Sequence, residues 1–287
     1  MGRGSFKGWY FKFQTKEGRA LAVIPAFHRD SGGRGTASLQ IITQDRSWWL
    51  DYPGEAFHTT KGRFLVRLGE SRFHDQGVSL QIQREGITLT GQLRFGPLTA
   101  LDTPIMGPFR FLGGMECSHE VVSMSHALTG TLTLNGEVYD FTGGVGYIEG
   151  DRGRSFPSRY LWAQCTWQGT EPGSLMLAIA AIPLAGLRFT GCLCALCHQG
   201  EEYRLATYRG VHLLSWSERG AVLRQGRRRL VLELLEQQAQ PLKAPVEGDM
   251  GRTIHESLCS HVRFRFWEGE RLLLDHTDTC ASFEYAG

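Results

Sequence analysis

Gly130-Thr131-Leu132-Thr133-Leu134-Asn135-Gly136-Glu137-Val138 alternates polar and apolar side chains up to an Asn-Gly pair and then resumes. A period of two puts Leu132 and Leu134 on one face of an extended chain. Asn-Gly accepts the positive φ angles of a two-residue hairpin turn. The stretch therefore reads as an antiparallel hairpin. The same alternation recurs at residues 8–13 (GWYFKF), 78–83 (VSLQIQ), 87–95 (ITLTGQLRF) and 261–267 (HVRFRFW), with Glu85-Gly86 and Glu268-Gly269 at further turns. The predicted fold class is all-β. Only residues 230–240 (LVLELLEQQAQ) carry enough Leu, Glu and Gln to compete as a helix, and that segment stays open.

The chain of 287 residues is long enough for one large all-β domain or two barrels of ordinary size. Two weak internal matches favour duplication. Trp9-Tyr10-Phe11 leads to Ala22-Val23-Ile24-Pro25, as Trp162-Ala163-Gln164 leads to Ala180-Ala181-Ile182-Pro183. Pro104-Ile105-Met106-Gly107 precedes strands ending near Phe141, as Pro245-Val246-Glu247-Gly248 precedes strands ending near Phe283. The expectation is two similar antiparallel β-barrels in tandem, residues 1–144 and 145–287, each closed to remove sheet edges.

Thirty-one basic against 29 acidic residues leave a formal charge of +2, which gives no electrostatic footprint for nucleic acid. No apolar run reaches the roughly 20 residues of a membrane span. Seven cysteines lack a paired spacing and no signal-peptide core precedes the first strand, so the expected compartment is a reducing cytoplasm. Met1-Gly2-Arg3-Gly4-Ser5-Phe6 imitates a myristoylation signal but has Phe where Ser or Thr is required. The expected partner is a small hydrophobic molecule.

Chemistry concentrates at Gly146-Tyr147-Ile148-Glu149-Gly150-Asp151-Arg152-Gly153-Arg154 and the following Tyr160-Leu161-Trp162. Glu149 and Asp151 are two apart, so an extended chain points both the same way. In an apolar pocket, desolvation and mutual repulsion raise at least one of their pKa values and yield a neutral acid able to donate a proton. Arg152 and Arg154 either orient a polar ligand head or pair with those acids as a structural network. Trp9, Tyr10, Tyr160 and Trp162 are candidate pocket walls whose π faces stabilise a developing cation; the plain alternative is core packing.

Glu116-Cys117-Ser118-His119 and His126 form a second polar knot, read as structural, with Glu116 or His119 available as a base. The histidine spacing does not make a metal motif, and no metal or organic cofactor is expected. Cys194-Ala195-Leu196-Cys197-His198 formally matches a haem attachment pattern, but the run reads as a buried strand with small apolar thiols. Residues 144–150 have the wrong glycine spacing for a dinucleotide loop.

Phe6-x-Gly8-Trp9-Tyr10-x-Lys12, Gly146-Tyr147-x-Glu149 to Phe156-Pro157, Leu161-Trp162-x-Gln164-Cys165 and Ala244-Pro245-x-x-Gly248 resemble the tocopherol cyclase family, most closely its shorter bacterial members. The resemblance spans nearly the whole chain. It implies two lipocalin-like barrels, related to carotenoid hydratases and Diels-Alderase-like proteins. It also implies a reaction in which a prenyl alkene is protonated and a phenol oxygen captures the tertiary cation. Glu149 coincides with a glutamate of the cyclases. Asp151 stands where they tend to have Asn and Arg152 where they have Trp, which adds charge beside the prenyl site. The resulting expectation is a hydrophobic-ligand protein that supports acid-promoted cyclisation with Glu149 and Asp151 as the acid pair. The alternatives are a non-catalytic lipocalin-like lipid binder and a hydratase in which water captures the cation.

Overall fold

The computed structural model describes residues 4–60, 62–112, 115–184 and 187–287. Met1, Gly2 and Arg3 of the myristoylation-like start lie outside them. The first twelve strands are β1 (Ser5–Gln14), β2 (Ala20–Arg29), β3 (Gly35–Thr43), β4 (Ser47–Pro53), β5 (Phe57–Thr59), β6 (Leu65–Leu68), β7 (Ser71–His74), β8 (Gly77–Arg84), β9 (Ile87–Phe95), β10 (Cys117–Leu134), β11 (Glu137–Asp140) and β12 (Val145–Gly153). Ten follow: β13 (Tyr160–Trp167), β14 (Gly173–Leu184), β15 (Leu187–His198), β16 (Glu201–Ala206), β17 (His212–Ser217), β18 (Gly220–Gln225), β19 (Arg228–Glu236), β20 (Gln240–Val246), β21 (Asp249–Glu268) and β22 (Arg271–Ala286).

They form two antiparallel sheets. The first runs β4-β3-β2-β1-β12-β10-β9-β8-β7-β6-β5 with β11 on β10; the second runs β16-β15-β14-β13-β22-β21-β19-β18-β17 with β20 on β21. The orders echo each other. In both, three strands step outward from a first strand, and the last strand returns to lie on its other side. The chain crosses between sheets over residues 154–159, and β12, which follows Gly144, belongs to the first sheet.

Turn chemistry acts as the sequence suggests at the β10-β11 hairpin, where Asn135 (φ 51°) and Gly136 (φ 86°) take the left-handed angles of the turn. The open segment at 230–240 resolves as strand through Glu236: β19 pairs with both β18 and β21, whose partners bury Leu230, Leu232 and Leu234, and residues 237–239 link it to β20. Ladder partners outweigh helix propensity there.

Each sheet curls around its own core. Leu50 and Tyr52 of β4 share one apolar cluster with Val66 and Leu68 of β6, from opposite ends of the first sheet. Among the described residues no ladder closes either curl, so the sheets are open in hydrogen bonding. At the corner the chain makes a 3-10 turn instead, Gly54–Ala56 in the first sheet and Thr207–Arg209 in the second. The interiors are filled: Phe11, Phe13, Phe73 and Phe141 pack one, Phe264, Phe266 and Phe283 the other.

The second faces of β1 and β13 meet between the sheets. Tyr10, Ala22 and Tyr147 pack there with Trp162, Met176 and Leu258. Each half also sends an arm onto the other. Tyr208 donates its hydroxyl to the Ile105 carbonyl at 2.9 Å, and the Phe109 ring packs edge-on against Tyr208. In return β20 docks on β3 through Gln40, which accepts from Lys243 N at 2.7 Å and donates to Lys243 O at 3.0 Å. The two Pro-x-x-Gly stretches lie in these arms, and Gly107 (φ 49°) and Gly248 (φ 81°) both need the left-handed region.

Candidate active site

Both interiors are packed with side chains, and open space lies between the sheets. A cavity of about 200 Å³ is walled by β1, β12, β13 and β14 and roofed by the two arms, with Met106 and Phe109 from one and Leu242 and Pro245 from the other. Its surface is largely hydrocarbon, with Ile24, Ala178, Ile182 and Leu193 among the lining residues.

Glu149 projects from β12 into this space and is only 5 % exposed. Three donors surround it. Tyr147 OH donates to Oε2 at 2.6 Å, Trp162 Nε1 donates to the same oxygen at 3.2 Å, and His119 Nε2 lies 3.4 Å away, close enough for an ionic contact but without hydrogen-bond alignment. Burial drives the Glu149 pKa up, the His119 charge pulls it down and the Asp151 charge raises it again, leaving it near 7. Asp151 points the same way as Glu149, as the spacing of two requires. It accepts from His119 Nδ1 at 2.9 Å and from Cys117 Sγ at 3.5 Å. Burial lowers the His119 pKa, but the charges of Asp151 and Glu149 outweigh it and hold the imidazolium up to about 9.

One ligand atom from each of His119, Glu149 and Asp151 lies within 4.8 Å of the others, the closeness a metal would use. The His119–Asp151 hydrogen bond accounts for it. Cys165, His276 and Asp278 make a second such group beside the second core, where His276 Nε2 bonds Asp278 Oδ2 at 3.0 Å.

The sequence candidates divide sharply. Tyr10, Tyr160 and Trp162 line the cavity, and the Tyr10 and Trp162 rings meet edge to face at 5.3 Å. Trp9 reaches the lining too, but its ring stacks on Phe57 and packs against Phe64 in the first core. Adjacent strand residues face opposite sides, so Tyr10, not Trp9, is the counterpart of Trp162. Glu116 lines the cavity, and its carbonyl accepts from the Arg154 backbone at 2.7 Å. Arg152 and Arg154 stay outside it. Arg152 is exposed in the ladder between Lys7 and Ser118, and neither guanidinium forms an ion pair among the described residues. The acids are thus tied by histidine and aromatic donors instead of arginines. The polar knot also separates: His119 sits between the acids, whereas His126 bonds Ser123 at 3.0 Å and packs on Phe95, displaced by bulges in β10.

Sequence reading missed two acids. Glu256 of β21 and Glu284 of β22 are 2 % and 6 % exposed, directly opposite in the ladder, and both line the cavity. Tyr10 OH donates to Glu256 Oε1 at 2.6 Å, and the Tyr160 hydroxyl donates to Glu284. Burial raises both carboxyl pKa values, that of Glu256 to about 7. Lys12 is the other omission: Nζ is buried and donates to Ser282 Oγ at 2.9 Å and the Cys280 carbonyl at 2.6 Å. The available signal was polar residues at every second position of β1 (Tyr10, Lys12) and of β22 (Ser282, Glu284), where a filled core should be apolar.

Solved structures share this architecture over almost all of the chain. An AttH-type protein of Nitrosomonas europaea is 14 % identical with a TM-score of 0.56, covering 100 % of this chain and 93 % of that one. CghA in complex with Sch210972 is 13 % identical with a TM-score of 0.57 over 99 % and 89 %. Kievitone hydratase from Nectria haematococca is 12 % identical with a TM-score of 0.54 over 99 % and 89 %. At these identities the likeness is one of fold. No curated protein sequence matches the chain. The profile of the tocopherol cyclase-like family matches residues 93–287, which carry Glu149, Trp162, Glu256 and Glu284, and the chain belongs to that family.

Proposed function

We propose that the chain binds an apolar molecule with an unsaturated, prenyl-like or polyene tail between its two halves and promotes its acid-assisted cyclisation. The observation that carries this reading is Glu149, a carboxyl group buried in a hydrocarbon-lined cavity, with a pKa raised towards neutrality and its Oε2 held by Tyr147 and Trp162. Protonating an alkene needs a neutral acid and few competing waters. Glu149 gives its proton to the alkene, and an oxygen of the same ligand captures the tertiary cation. His119 and Asp151 fix the acid's orientation, while Tyr10, Tyr160 and Trp162 line the path and face the positive charge. Arg152 and Arg154, lying outside the cavity, take no part in binding the tail.

In this reading each curled sheet is a lipocalin-like barrel filled by its own side chains, and the paired halves arose by duplication, with the first unit running through β12 and the second opening at β13, so that the boundary falls after Gly153 and not at residue 144. Seven unpaired cysteines support a reducing, cytoplasmic setting.

A second reading is a non-catalytic lipid binder. It is favoured by the His119 contact to Glu149, which in the charged form closes an ion pair and leaves no acid to donate. The two separate on one experiment. Protein incubated with a prenylated hydroquinone is extracted and analysed by mass spectrometry, wild type beside Glu149→Gln. Ring-closed product from wild type alone supports the cyclase; retention of unchanged hydroquinone by both supports the binder.

A further inference from the structure

The reaction as proposed uses one acid, yet the cavity holds a second pair of buried carboxyl groups that it leaves idle. Glu256 and Glu284 are cross-strand partners on β21 and β22, both lining the cavity. Two ionised carboxylates directly opposite on one sheet face repel. Neither has an arginine or lysine within ion-pair distance among the described residues. Their partners are hydroxyls, Tyr10 for Glu256 and Tyr160 for Glu284. Lys12 makes no hydrogen bond to Glu256 and donates instead to Ser282 Oγ at 2.9 Å, itself 3.1 Å from Tyr10 OH; its charge pulls the Glu256 pKa down, but burial outweighs it. Arg252 approaches from the same strand, donating to the Pro157 and Ser158 carbonyls.

The site is also cross-braced. Tyr10 lies opposite Glu149 in the first sheet but bonds Glu256 of the second, and Trp162 lies opposite Glu284 in the second but bonds Glu149 of the first. Two carboxyl centres therefore flank one pair of touching rings. Each half supplies one centre and the ring that holds the other.

We infer that Glu256 and Glu284 form a second proton centre, sharing one proton, and act as the base that receives the hydroxyl proton of the ligand as its ring closes. This rests on the cyclisation reading. Glu149 transfers its proton to the alkene carbon; the ligand oxygen forms a bond to the tertiary cation carbon; the O–H bond of that oxygen breaks and its proton passes to the Glu256–Glu284 pair. The ligand is isomerised with no net change in protons or electrons. The two centres regain their starting states by exchange with water when product leaves. The base confines substrates to those with an ionisable hydroxyl, a phenol or enol, at the second-sheet side of the cavity. A carboxylate head is disfavoured there, because it would face the charge that the pair retains.

Two measurements on the full chain test it. Infrared spectra at neutral pH, recorded without substrate as differences between wild type and variant, should contain a protonated-carboxyl C=O band that shifts in Glu256→Gln and in Glu284→Gln, is lost when both are replaced, and persists in Glu149→Gln, which loses only the separate band of Glu149. A spectrum unchanged by both substitutions overturns the shared proton. Turnover of a prenylated hydroquinone should fall about 100-fold in kcat for each Gln variant with KM little changed, and Glu256→Asp should recover part of it. If Glu149→Gln is inactive while Glu256→Gln and Glu284→Gln match wild type, the base role fails and the cyclase reading stands. If wild type leaves the hydroquinone unchanged, the cyclase reading and the base role fall together, and the infrared band still decides whether the pair holds a proton. Near-ultraviolet circular dichroism identifies a variant that has lost the fold, in which case Glu256→Asp and Tyr10→Phe carry the test.

Discussion

Trp162 and Glu149 belong to different sheets, and the indole Nε1 of the first donates to Oε2 of the second at 3.2 Å across the cavity. The proposed acid is therefore oriented by the opposite half of the chain, and neither half alone builds the site. The expected consequences follow from this arrangement.

Glu149→Gln keeps the size and the acceptor oxygen of the side chain but cannot donate the proton. Turnover of a prenylated hydroquinone should fall by about 100-fold or more, the usual contribution of a positioned acid, while ligand affinity changes by only about twofold. Steady-state kinetics with a parallel binding titration checks this; undiminished kcat removes Glu149 from the donor role.

His119 lowers the Glu149 pKa by its positive charge. With the acid near pKa 7, wild-type kcat should decline as pH rises through about 7 and the carboxyl ionises. In His119→Gln that opposing charge is gone, so the declining limb should move to higher pH. The pH–rate profile of the two proteins gives the answer, and an unmoved limb would mean that His119 and Glu149 are not coupled.

Glu256 carries a folded-state pKa raised from 4.5 to about 7 by burial. The neutral form is favoured in the fold, so its stabilising contribution is complete below about pH 4.5 and is lost as pH rises through about 7. Glu256→Gln removes that loss. The stability of the variant relative to wild type should increase between those pH values by on the order of 3 kcal/mol. Urea unfolding at pH 4.5 and pH 8 measures it, and a difference independent of pH would contradict a raised pKa. Comparing variant with wild type cancels the opposing trend of His28 and His126, both lowered to about 4 by burial.

Ala178 of β14 lines the cavity opposite Trp162 and Leu193 in the ladders. Ala178→Phe adds a ring to the open space without crowding either filled core. Ligand retention should drop about tenfold or more, with a change in Tm of only about 2–4 °C, as for a mild substitution in a chain of this size. Lipid extraction and thermal unfolding together check it; full ligand retention would put the binding site elsewhere.

The legible part of the fold was local. Alternation and Asn-Gly, Glu-Gly turns announced antiparallel strands, because side-chain direction in a strand depends only on residue parity. The shared direction of Glu149 and Asp151 followed from the same rule. The rule also separates Trp9 from Tyr10, although both stand in one aromatic run. What parity cannot give is the identity of the neighbour: His119 is thirty residues from Glu149, Trp162 lies in the next sheet, and Arg152, three residues from Glu149 on the same strand, meets neither carboxylate.

Sequence alone therefore determined the all-β class and marked Glu149 as a candidate acid. Tertiary structure decided the rest. It packed both curled interiors with side chains and left open space at the seam between the sheets. It brought Glu256 and Glu284, more than 100 residues beyond Glu149, to that seam, and it replaced arginine by histidine and indole as the partners of the acid. The physical reason is that a strand's two faces are set by its own residues, whereas the charge and solvent exposure met by each face depend on which distant strand is packed against it.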